Sequence, residues 1–224
     1  MHYYPVFLDL KNKECLVVGA GSVGKRKIEI LCKAAPKKIL VVDPYVSNDF
    51  QKSLPKFVEV KKREFQEKDL DNKFLVIVAT SNLDLNKRIS KLCHDRNILC
   101  NVVDRPNLCS FIVPSIVDKD VIKIAISTGG KSPAMSRYLK KIIANAIDDE
   151  LVILTRILGR LRPIIISQDK TSSDENKKIF NSFIEDKFIL AIKNKDLDYI
   201  KERIKSVLKE QNEEKIMELL NGIF

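Results

Sequence analysis

The first hundred residues of the chain alternate between short apolar runs and stretches whose apolar residues recur at helical spacing. Five β-strands are predicted, at residues 13–18, 39–43, 57–65, 74–80 and 98–104. The run at 74–80 is continuously apolar, which is typical of a parallel strand covered on both faces. Residues 25–35 and 83–96 predict amphipathic helices between the strands. This alternation predicts an α/β fold built on a Rossmann-like, doubly wound parallel sheet.

The pattern changes after Asp104. Two apolar runs, residues 111–117 and 121–126, flank Asp118-Lys119-Asp120 and predict a β-hairpin with its turn at that polar tripeptide. Ser132-Pro133 predicts the start of a helix, because a capping hydroxyl is followed by proline in the first turn. The apolar face of that helix is made by Met135, Leu139, Ile142, Ile143 and Ala146.

A glycine-rich turn follows the first predicted strand directly. Residues 13–25 combine a short buried strand, Gly-x-Gly-x-x-Gly and a helix, in the order that dinucleotide binding requires. Gly19 permits the tight turn, Gly21 lets the backbone approach a pyrophosphate, and Gly24 lets the helix pack closely on the strand. The phosphates would lie against free amide N–H groups at the positive end of the helix dipole. The alternative is a glycine turn that packs a strand against a helix and binds nothing.

An acidic residue stands at the end of the second strand. Asp43 follows Gly19 by 24 positions, close to the spacing of roughly 20 at which an acid takes the adenosine ribose hydroxyls. Its charge would repel a 2′-phosphate, which favours NAD over NADP as the cofactor. Thr80 and Asp104 fall at strand ends too, and ligands of such sheets bind at that edge. Cofactor contacts are predicted for Gly19, Gly21, Ser22, Val23, Gly24, Asp43, Pro44 and Thr80.

From Asp148 onward the pattern is helical, with a polar break at residues 168–176. We therefore predict an NAD-binding Rossmann domain at residues 1–112, a dimerisation region at 113–148 and a C-terminal helical domain at 149–224. An apolar hairpin and helix appended to a complete nucleotide domain leave apolar surface to cover. A homodimer is the expected way to cover it.

The net charge is the least ordinary feature of the composition. The 224 residues include 40 Lys and Arg against 30 Asp and Glu, a net charge of +10. One interpretation is solvated lysines on surface helices, and the other is attraction to an acidic partner. No recognised binding motif and no clustering of aromatic with basic residues accompanies the charge, so we expect no nucleic-acid partner.

Cysteine and histidine usage bears on the compartment and on metals. The five cysteines are odd in number and scattered, which predicts thiols in a reducing compartment rather than a disulfide framework. Because only His2 and His94 are present, we predict no metal site, and His94 is expected to be packed or exposed rather than catalytic.

The first residues do not resemble a signal peptide, and no apolar run reaches about 18 residues. We therefore expect a cytoplasmic protein with no membrane partner.

Several motifs, in order along the chain, resemble one enzyme family. The first signature is Asn101-Val-Val-Asp-Arg-Pro106, followed by Cys109-Ser110-Phe111 and Pro114-Ser115. It resembles the sequence of precorrin-2 dehydrogenase, the dehydrogenase/ferrochelatase part of sirohaem synthase. Residues 126–133, Ile-Ser-Thr-Gly-Gly-Lys-Ser-Pro, resemble the second signature of the same family. Residues 4–10, and Ala79-Thr80-Ser81 with Asn86, fit as well. The resemblance covers residues 1 to about 145.

This resemblance implies NAD-dependent oxidation of precorrin-2 to sirohydrochlorin in sirohaem biosynthesis. In some members the same cleft then inserts ferrous iron as a second substrate. A homodimer with a nucleotide domain, a dimerisation domain and a small helical domain is also implied. The family's essential aspartate falls on Asp104, which is predicted to take a proton as hydride leaves to the nicotinamide. Without the resemblance, an aspartate that caps the turn before Pro106 is the alternative.

The substrate that the resemblance implies is rich in carboxylates, so a positive cleft would raise its local concentration. Substrate contacts are predicted for Thr128, Gly129, Lys131 and Ser132. Arg105 and Arg137 are further basic candidates, and each could equally be a solvated surface residue. Two other functions stay open. One is that the chain acts mainly as a sirohydrochlorin ferrochelatase, and the other is that it is a nucleotide-sensing regulatory module.

Overall fold

A computed structural model of the chain describes residues 3–167, 173–208 and 213–224. The chain forms two compact units, Met1–Val113 and Pro114–Phe224. Each unit builds its own apolar cores, two in the first unit and two in the second among the described residues. The predicted three-part division at residues 112 and 148 stays a prediction.

The first unit is a parallel sheet, as predicted. Within residues 3–113 the strand order is β3-β2-β1-β4-β5, and every neighbouring pair is parallel. The strands are β1 Glu14–Val18, β2 Lys38–Val42, β3 Val58–Lys61, β4 Leu75–Val78 and β5 Leu99–Val102. The chain turns from one half of the sheet to the other between β1 and β4. Ligands of doubly wound sheets bind in the crevice at that point.

Helices cover both faces of this sheet because side chains alternate along each strand. Cys15 and Val17 of β1 face one core, which also holds Ile28 and Leu31 of helix α1 (Ser22–Lys33). The neighbouring Leu16 and Val18 face the other core, which holds residues of helix α3 (Leu83–Asp95), Ile89 among them. Each strand is thereby buried on both faces, which explains the continuous apolar runs.

One short α-helix among the described residues was not predicted. Helix α2 (Asn48–Ser53) begins after Ser47, whose hydroxyl accepts a hydrogen bond from the Phe50 amide at 3.4 Å. The helix contains no buried residue, so it shows no apolar periodicity to detect. The predicted strand at 57–65 was too long, since only Val58–Lys61 pairs with β2.

The second unit begins with a hairpin whose turn differs from the prediction. Strands β6 (Ser115–Lys119) and β7 (Ile122–Ile126) pair antiparallel, with Asp118 opposite Lys123. The turn is therefore Asp120-Val121, and the prediction of a turn at Asp118-Lys119-Asp120 was wrong. Asp120 adopts φ +55°, a left-handed conformation that aspartate tolerates and that short hairpin turns use.

Helix α4 (Pro133–Ala146) starts where predicted, and the Ser132 hydroxyl accepts a hydrogen bond from the Met135 amide at 3.1 Å. Its predicted apolar face divides in two. Leu139 and Ile143 pack on the hairpin core, whereas Met135 and Ile142 are 48% and 47% exposed.

The remaining described chain is helical, as predicted. The helices are α5 Asp149–Ser167, α6 Ser173–Asn181, α7 Asp186–Lys193, α8 Leu197–Leu208 and α9 Glu213–Leu220. Their shared core is centred on Phe183 and Phe188, whose rings meet edge to face at 5.2 Å. Residues 168–172 of the predicted polar break lie outside the described residues, and 173–176 belong to α6, so that part of the prediction was wrong. Along the described residues, no helix is both long and apolar enough to cross a membrane.

Candidate functional site

The turn between β1 and α1 requires glycine at position 19. Gly19 has φ +93°, which side chains rarely adopt, and its amide donates to the Val42 carbonyl at 3.0 Å. A Cβ atom at Gly19 would lie 2.6 Å from the carbonyl oxygen of Ala79. The turn therefore contacts the ends of β2 and β4 at once, and both conformation and space require glycine.

Gly24 is required by packing alone. It lies in the first turns of α1, and a Cβ atom there would overlap the carbonyl oxygen of Gly19. The helix consequently lies directly against the glycine turn, which aims its N-terminus at the crevice beside β1.

At Gly21, neither backbone conformation nor packing within the protein requires glycine. Its φ of −65° suits any residue, and no described protein atom lies within 4 Å of the position that a Cβ would take. The space in front of Gly21 is therefore open, which is what the close approach of a ligand to the backbone requires.

The N-terminus of α1 suits an anion. Gly21 makes no side-chain cap hydrogen bond, and the first turn carries no acidic residue. The amide of Lys25 donates to the Gly21 carbonyl at 2.9 Å, so Ser22 and Val23 precede that first intrahelical bond. Amides at such positions have no intrahelical acceptor. Together with the open space at Gly21, they fit the pyrophosphate of a dinucleotide.

Asp43 joins the glycine turn to the end of β2. One carboxylate oxygen accepts the Ala20 amide and the other accepts the Tyr45 amide, both at 2.6 Å. Asp43 is half-buried, and Pro44 after it is exposed. Each carboxylate oxygen has a second lone-pair site, so the side chain can order the turn and still accept a ribose hydroxyl. The sequence did not reveal these amide contacts.

Thr80, at the end of β4, uses its hydroxyl within the protein. The hydroxyl donates to Asn86 Oδ1 at 2.5 Å, and Asn86 Nδ2 donates back to the Thr80 carbonyl at 3.0 Å. Asn86 is buried. This exchange ties the strand end to the first turns of α3, so Thr80 shapes the edge of the crevice next to Gly19.

Asp104 follows β5 at the same edge of the sheet. The amide of Val103 still donates to the Val78 carbonyl of β4 at 2.9 Å, and the chain then turns at Asp104. Asp104 is exposed and has φ +57°, in the left-handed region where aspartate is enriched. A carboxylate at this point has access to solvent and to a ligand in the crevice.

The residues after Asp104 return along the outer edge of β5. The Cys100 amide donates to the Ser110 hydroxyl at 2.8 Å, and the Val102 amide donates to Cys109 Sγ at 3.2 Å. Buried Asn101 donates to the Phe111 carbonyl at 3.0 Å. The motif residues around Asp104 thus protect an open strand edge and hold the turn that carries the carboxylate.

Sequence reasoning missed Lys27 on α1. The side chain is half-buried. Burial lowers the pKa of Lys27, and the charge of Asp104 partly offsets this effect. A signal was present in the sequence, because Lys27 lies on the same helical stripe as Gly24, Ile28 and Leu31.

The four predicted substrate residues lie together in the second unit. Thr128 Oγ1 accepts the Ser132 amide at 3.1 Å and lies 3.2 Å from the hydroxyl of buried Ser136. Gly129 turns the chain with φ +63°, and Lys131 is exposed. The Thr128 hydroxyl therefore orders the loop before α4. Arg105, in the first unit, and Arg137, in the second, are both exposed.

No metal cluster is present among the described residues, where no three His, Cys, Asp or Glu side chains come together as ligands. His94 is exposed at the end of α3. All five cysteines are free, and Cys15, Cys93 and Cys100 are buried.

The chain is similar to known proteins in sequence and in fold. A family model for NAD(P)-binding domains matches residues 6–115, and the model described as sirohaem biosynthesis protein central matches residues 122–146. The structure of SirC, precorrin-2 dehydrogenase, superimposes with a TM-score of 0.76 and 27% identity, covering 93% of this chain and all (100%) of that one. The chain belongs to the siroheme synthase and precorrin-2 dehydrogenase family. The resemblance of the motifs is thereby confirmed.

Two relatives in this family show how the lengths compare. The siroheme synthase of Vesicomyosocius okutanii subsp. Calyptogena okutanii is 37% identical over 180 residues, which are 80% of this chain and 38% of that protein. The siroheme synthase of Enterobacter sp. (strain 638) is 32% identical over 213 residues, 94% of this chain and 46% of that protein. The chain therefore spans less than half the length of these curated relatives.

Proposed function

We propose that this chain oxidises precorrin-2 to sirohydrochlorin with NAD, a step of sirohaem biosynthesis. The observation that carries the proposal is that the open glycine turn after β1 and the exposed Asp104 after β5 share the carboxyl edge of one sheet. Similarity to a precorrin-2 dehydrogenase over nearly the whole chain supports the choice of substrate.

The cofactor supplies a hydride acceptor when it is bound. Its pyrophosphate would be held by the turn Gly19–Gly24, including the amides of Ser22 and Val23, and its adenosine end by Asp43 and Pro44. Thr80 would border the nicotinamide end of the crevice. We propose NAD rather than NADP because a 2′-phosphate beside the Asp43 carboxylate would be repelled.

Asp104 is proposed as the general base. Loss of hydride from a reduced tetrapyrrole requires that a proton also leaves, and an exposed carboxylate at the crevice can take it. Proton transfer to a positioned side chain contributes typically about 10²–10⁴-fold to a rate. The turn held by Asn101, Cys109 and Ser110 keeps this carboxylate at the strand end.

Thr128, Gly129, Lys131 and Ser132 are proposed to contact the substrate, and the protein is proposed to act as a homodimer. The exposed apolar side chains Met135, Tyr138 and Ile142 recur along one side of α4, as an interface helix requires. The five free cysteines favour a location in the reducing cytoplasm. We propose no nucleic-acid or membrane partner.

The test is an anaerobic assay of the purified chain with precorrin-2. NADH formation that needs both precorrin-2 and NAD supports the proposal, and formation of sirohydrochlorin is followed by its absorbance. Salt-sensitive binding of DNA or RNA without turnover would instead indicate a nucleotide-sensing regulatory module.

A second activity, insertion of ferrous iron into sirohydrochlorin, is favoured by the same exposed carboxylate. Iron insertion also removes protons, here from pyrrole nitrogens, and Asp104 could take them. Iron uptake by sirohydrochlorin without NAD would show this activity. If it occurs without any precorrin-2 oxidation, the chain is mainly a ferrochelatase.

A further inference from the structure

A lysine occupies a stripe of α1 that otherwise faces the sheet core. Gly24, Ile28 and Leu31 are the buried residues of this helix, and Lys27 lies one turn from both Gly24 and Leu31. Lysine is almost never buried unless it is paired. The stem of a surface lysine often packs on apolar groups while its ammonium stays in water. Lys27 is half-buried on this stripe, and the burial lowers its pKa.

The neighbours of Lys27 belong to the segment after β5. Asp104 and Cys109 both lie near its ammonium, and the negative charge of the Asp104 carboxylate favours the charged form while Arg26 opposes it. Val103 and Phe111, which flank this segment, pack against the same core as Ile28. Lys27 therefore lies where helix α1 and the turn that carries Asp104 come together.

The ammonium has no close anionic partner within the described chain. None of the ion pairs formed among the described residues includes Lys27, although Asp104 is near enough to influence it. A half-buried cation without a hydrogen-bonded anion favours an anionic ligand, because a charged group left unpaired away from water is costly.

We propose that Lys27 binds a carboxylate side chain of the tetrapyrrole, beside the general base Asp104. This inference rests on the function proposed above. An ammonium is a compact charge with three donors, which suits a single flexible carboxylate. Held by that acid group, the macrocycle would present its reacting carbon to Asp104 in a fixed orientation, so one side chain binds while its neighbour takes the proton.

The test compares Lys27→Met, Lys27→Arg and the control Lys33→Met. Methionine matches the length of lysine and suits an apolar stripe, so Lys27→Met should keep the melting temperature of the wild type. Lys33 is an exposed lysine in the last turn of the same helix, so its replacement makes the same change of charge away from the crevice. Binding of sirohydrochlorin without cofactor is measured by fluorescence titration, and NAD binding by calorimetry.

For Lys27→Met we expect sirohydrochlorin binding to weaken at least about tenfold, and KM for precorrin-2 to rise by a similar factor. kcat should change less than about threefold, because the base remains in place. NAD affinity should stay within about twofold, since no cofactor contact is removed. Lys27→Arg should restore most of the binding, and Lys33→Met should match the wild type.

Several results would overturn the inference. The first is unchanged sirohydrochlorin binding in Lys27→Met. The second is a loss of kcat with unchanged KM in this variant, because that result would mean that Lys27 acts only through Asp104. Equal loss of NAD binding would assign Lys27 to the cofactor instead. If Lys27→Met fails to fold, Lys27→Gln answers the same question. A wild-type chain that binds sirohydrochlorin but forms no NADH would contradict the proposed oxidation and leave the binding test of Lys27 intact.

Discussion

The three glycines of the turn after β1 differ in what constrains them. Gly19 is constrained by its positive φ and by Ala79, and Gly24 by the carbonyl of Gly19. Gly21 is constrained by nothing in the described protein. The motif therefore combines two structural positions with one position whose smallness serves a ligand.

Alanine substitutions separate these roles. Gly21→Ala should leave the free energy of unfolding within about 0.5 kcal/mol of the wild type, because its Cβ meets open space. It should weaken NAD binding at least about tenfold, because that Cβ enters the space where the pyrophosphate approaches. Gly24→Ala should cost about 1–3 kcal/mol of stability through overpacking. Urea unfolding and NAD calorimetry check both variants, and equal destabilisation by the two substitutions would contradict this division.

Asp104 can be tested by a substitution that keeps its backbone. Asparagine also tolerates the left-handed conformation of this turn, so Asp104→Asn should fold normally and bind NAD with unchanged affinity. Precorrin-2 oxidation should fall by about 10²–10⁴-fold, because the amide cannot take the proton. The measurement is NADH formation under anaerobic conditions, with Asp95→Asn, an exposed carboxylate at the end of α3, as the matched control. Turnover that survives in Asp104→Asn would show that another group is the base.

Among the structural elements, the short 3₁₀ helix Glu67–Leu70 before β4 depends on one buried carboxylate. Asp69 receives two hydrogen bonds from Arg63, at 2.8 and 2.6 Å, and one from the Gln66 amide at 2.8 Å. Its side chain is 3% exposed. Burial alone would raise the pKa of Asp69, but the Arg63 and Gln66 hydrogen bonds outweigh burial and hold this pKa below its usual range.

The depressed pKa predicts how stability depends on pH. Asp69→Asn should lower the free energy of unfolding by about 1–3 kcal/mol at neutral pH. The carboxylate contributes fully above its unfolded pKa of about 3.9, and the contribution is lost as pH falls through the lower folded pKa. The difference between wild type and variant should therefore be constant above about pH 5 and shrink toward pH 3.

Urea unfolding at several pH values measures this difference. Asp71→Asn is the control, because its carboxylate pairs with Arg96 at the surface, and it should change stability by less than about 1 kcal/mol. A difference between wild type and Asp69→Asn that stays constant down to pH 3 would argue against the depressed pKa.

For the molecule as a whole, the positive charge is unevenly distributed along the chain. Residues 1–147 hold 26 Lys and Arg against 15 Asp and Glu, whereas residues 148–224 hold 14 against 15. The excess therefore belongs to the sheet, the hairpin and α4, which carry the proposed cofactor and substrate residues. A general excess of surface lysine would have extended to the C-terminal helices as well. The distribution favours an acidic substrate as its cause.

The proposed homodimer leads to a prediction about α4. Ile142→Glu places a charge in the exposed apolar row of this helix, and a dimer that buries the row should dissociate because the charge would be desolvated. Leu190→Glu is the control, since Leu190 is an apolar residue of α7 with comparable exposure, at 54% against 47% for Ile142. Size-exclusion chromatography with light scattering gives the mass of each variant. A wild-type monomer, or an Ile142→Glu dimer, would contradict this interface.

Local patterns were sufficient for much of this fold. The parallel strands, the glycine turn and the start of α4 at Ser132 follow from alternation, from φ preferences and from capping, which act over a few neighbouring residues. Predictions were wrong or missing where the local signal was weak. The hairpin turn at Asp120-Val121 depends on strand register, and α2 has no buried face to leave a pattern.

The sequence by itself determined the order of strands and helices, the glycine turn and the acidic residues at strand ends, because those features are written in neighbouring side chains. Only the tertiary structure decided what those residues contact. The Ala20 amide donates to the Asp43 carboxylate, and the Thr80 hydroxyl donates to Asn86. Lys27 lies near Asp104. Each of these contacts joins parts of the chain that are distant in sequence or belong to different elements. Such contacts exist only after β1, β4 and β5 have paired and their helices have packed, since distance in space between these residues is set by the sheet and not by spacing along the chain.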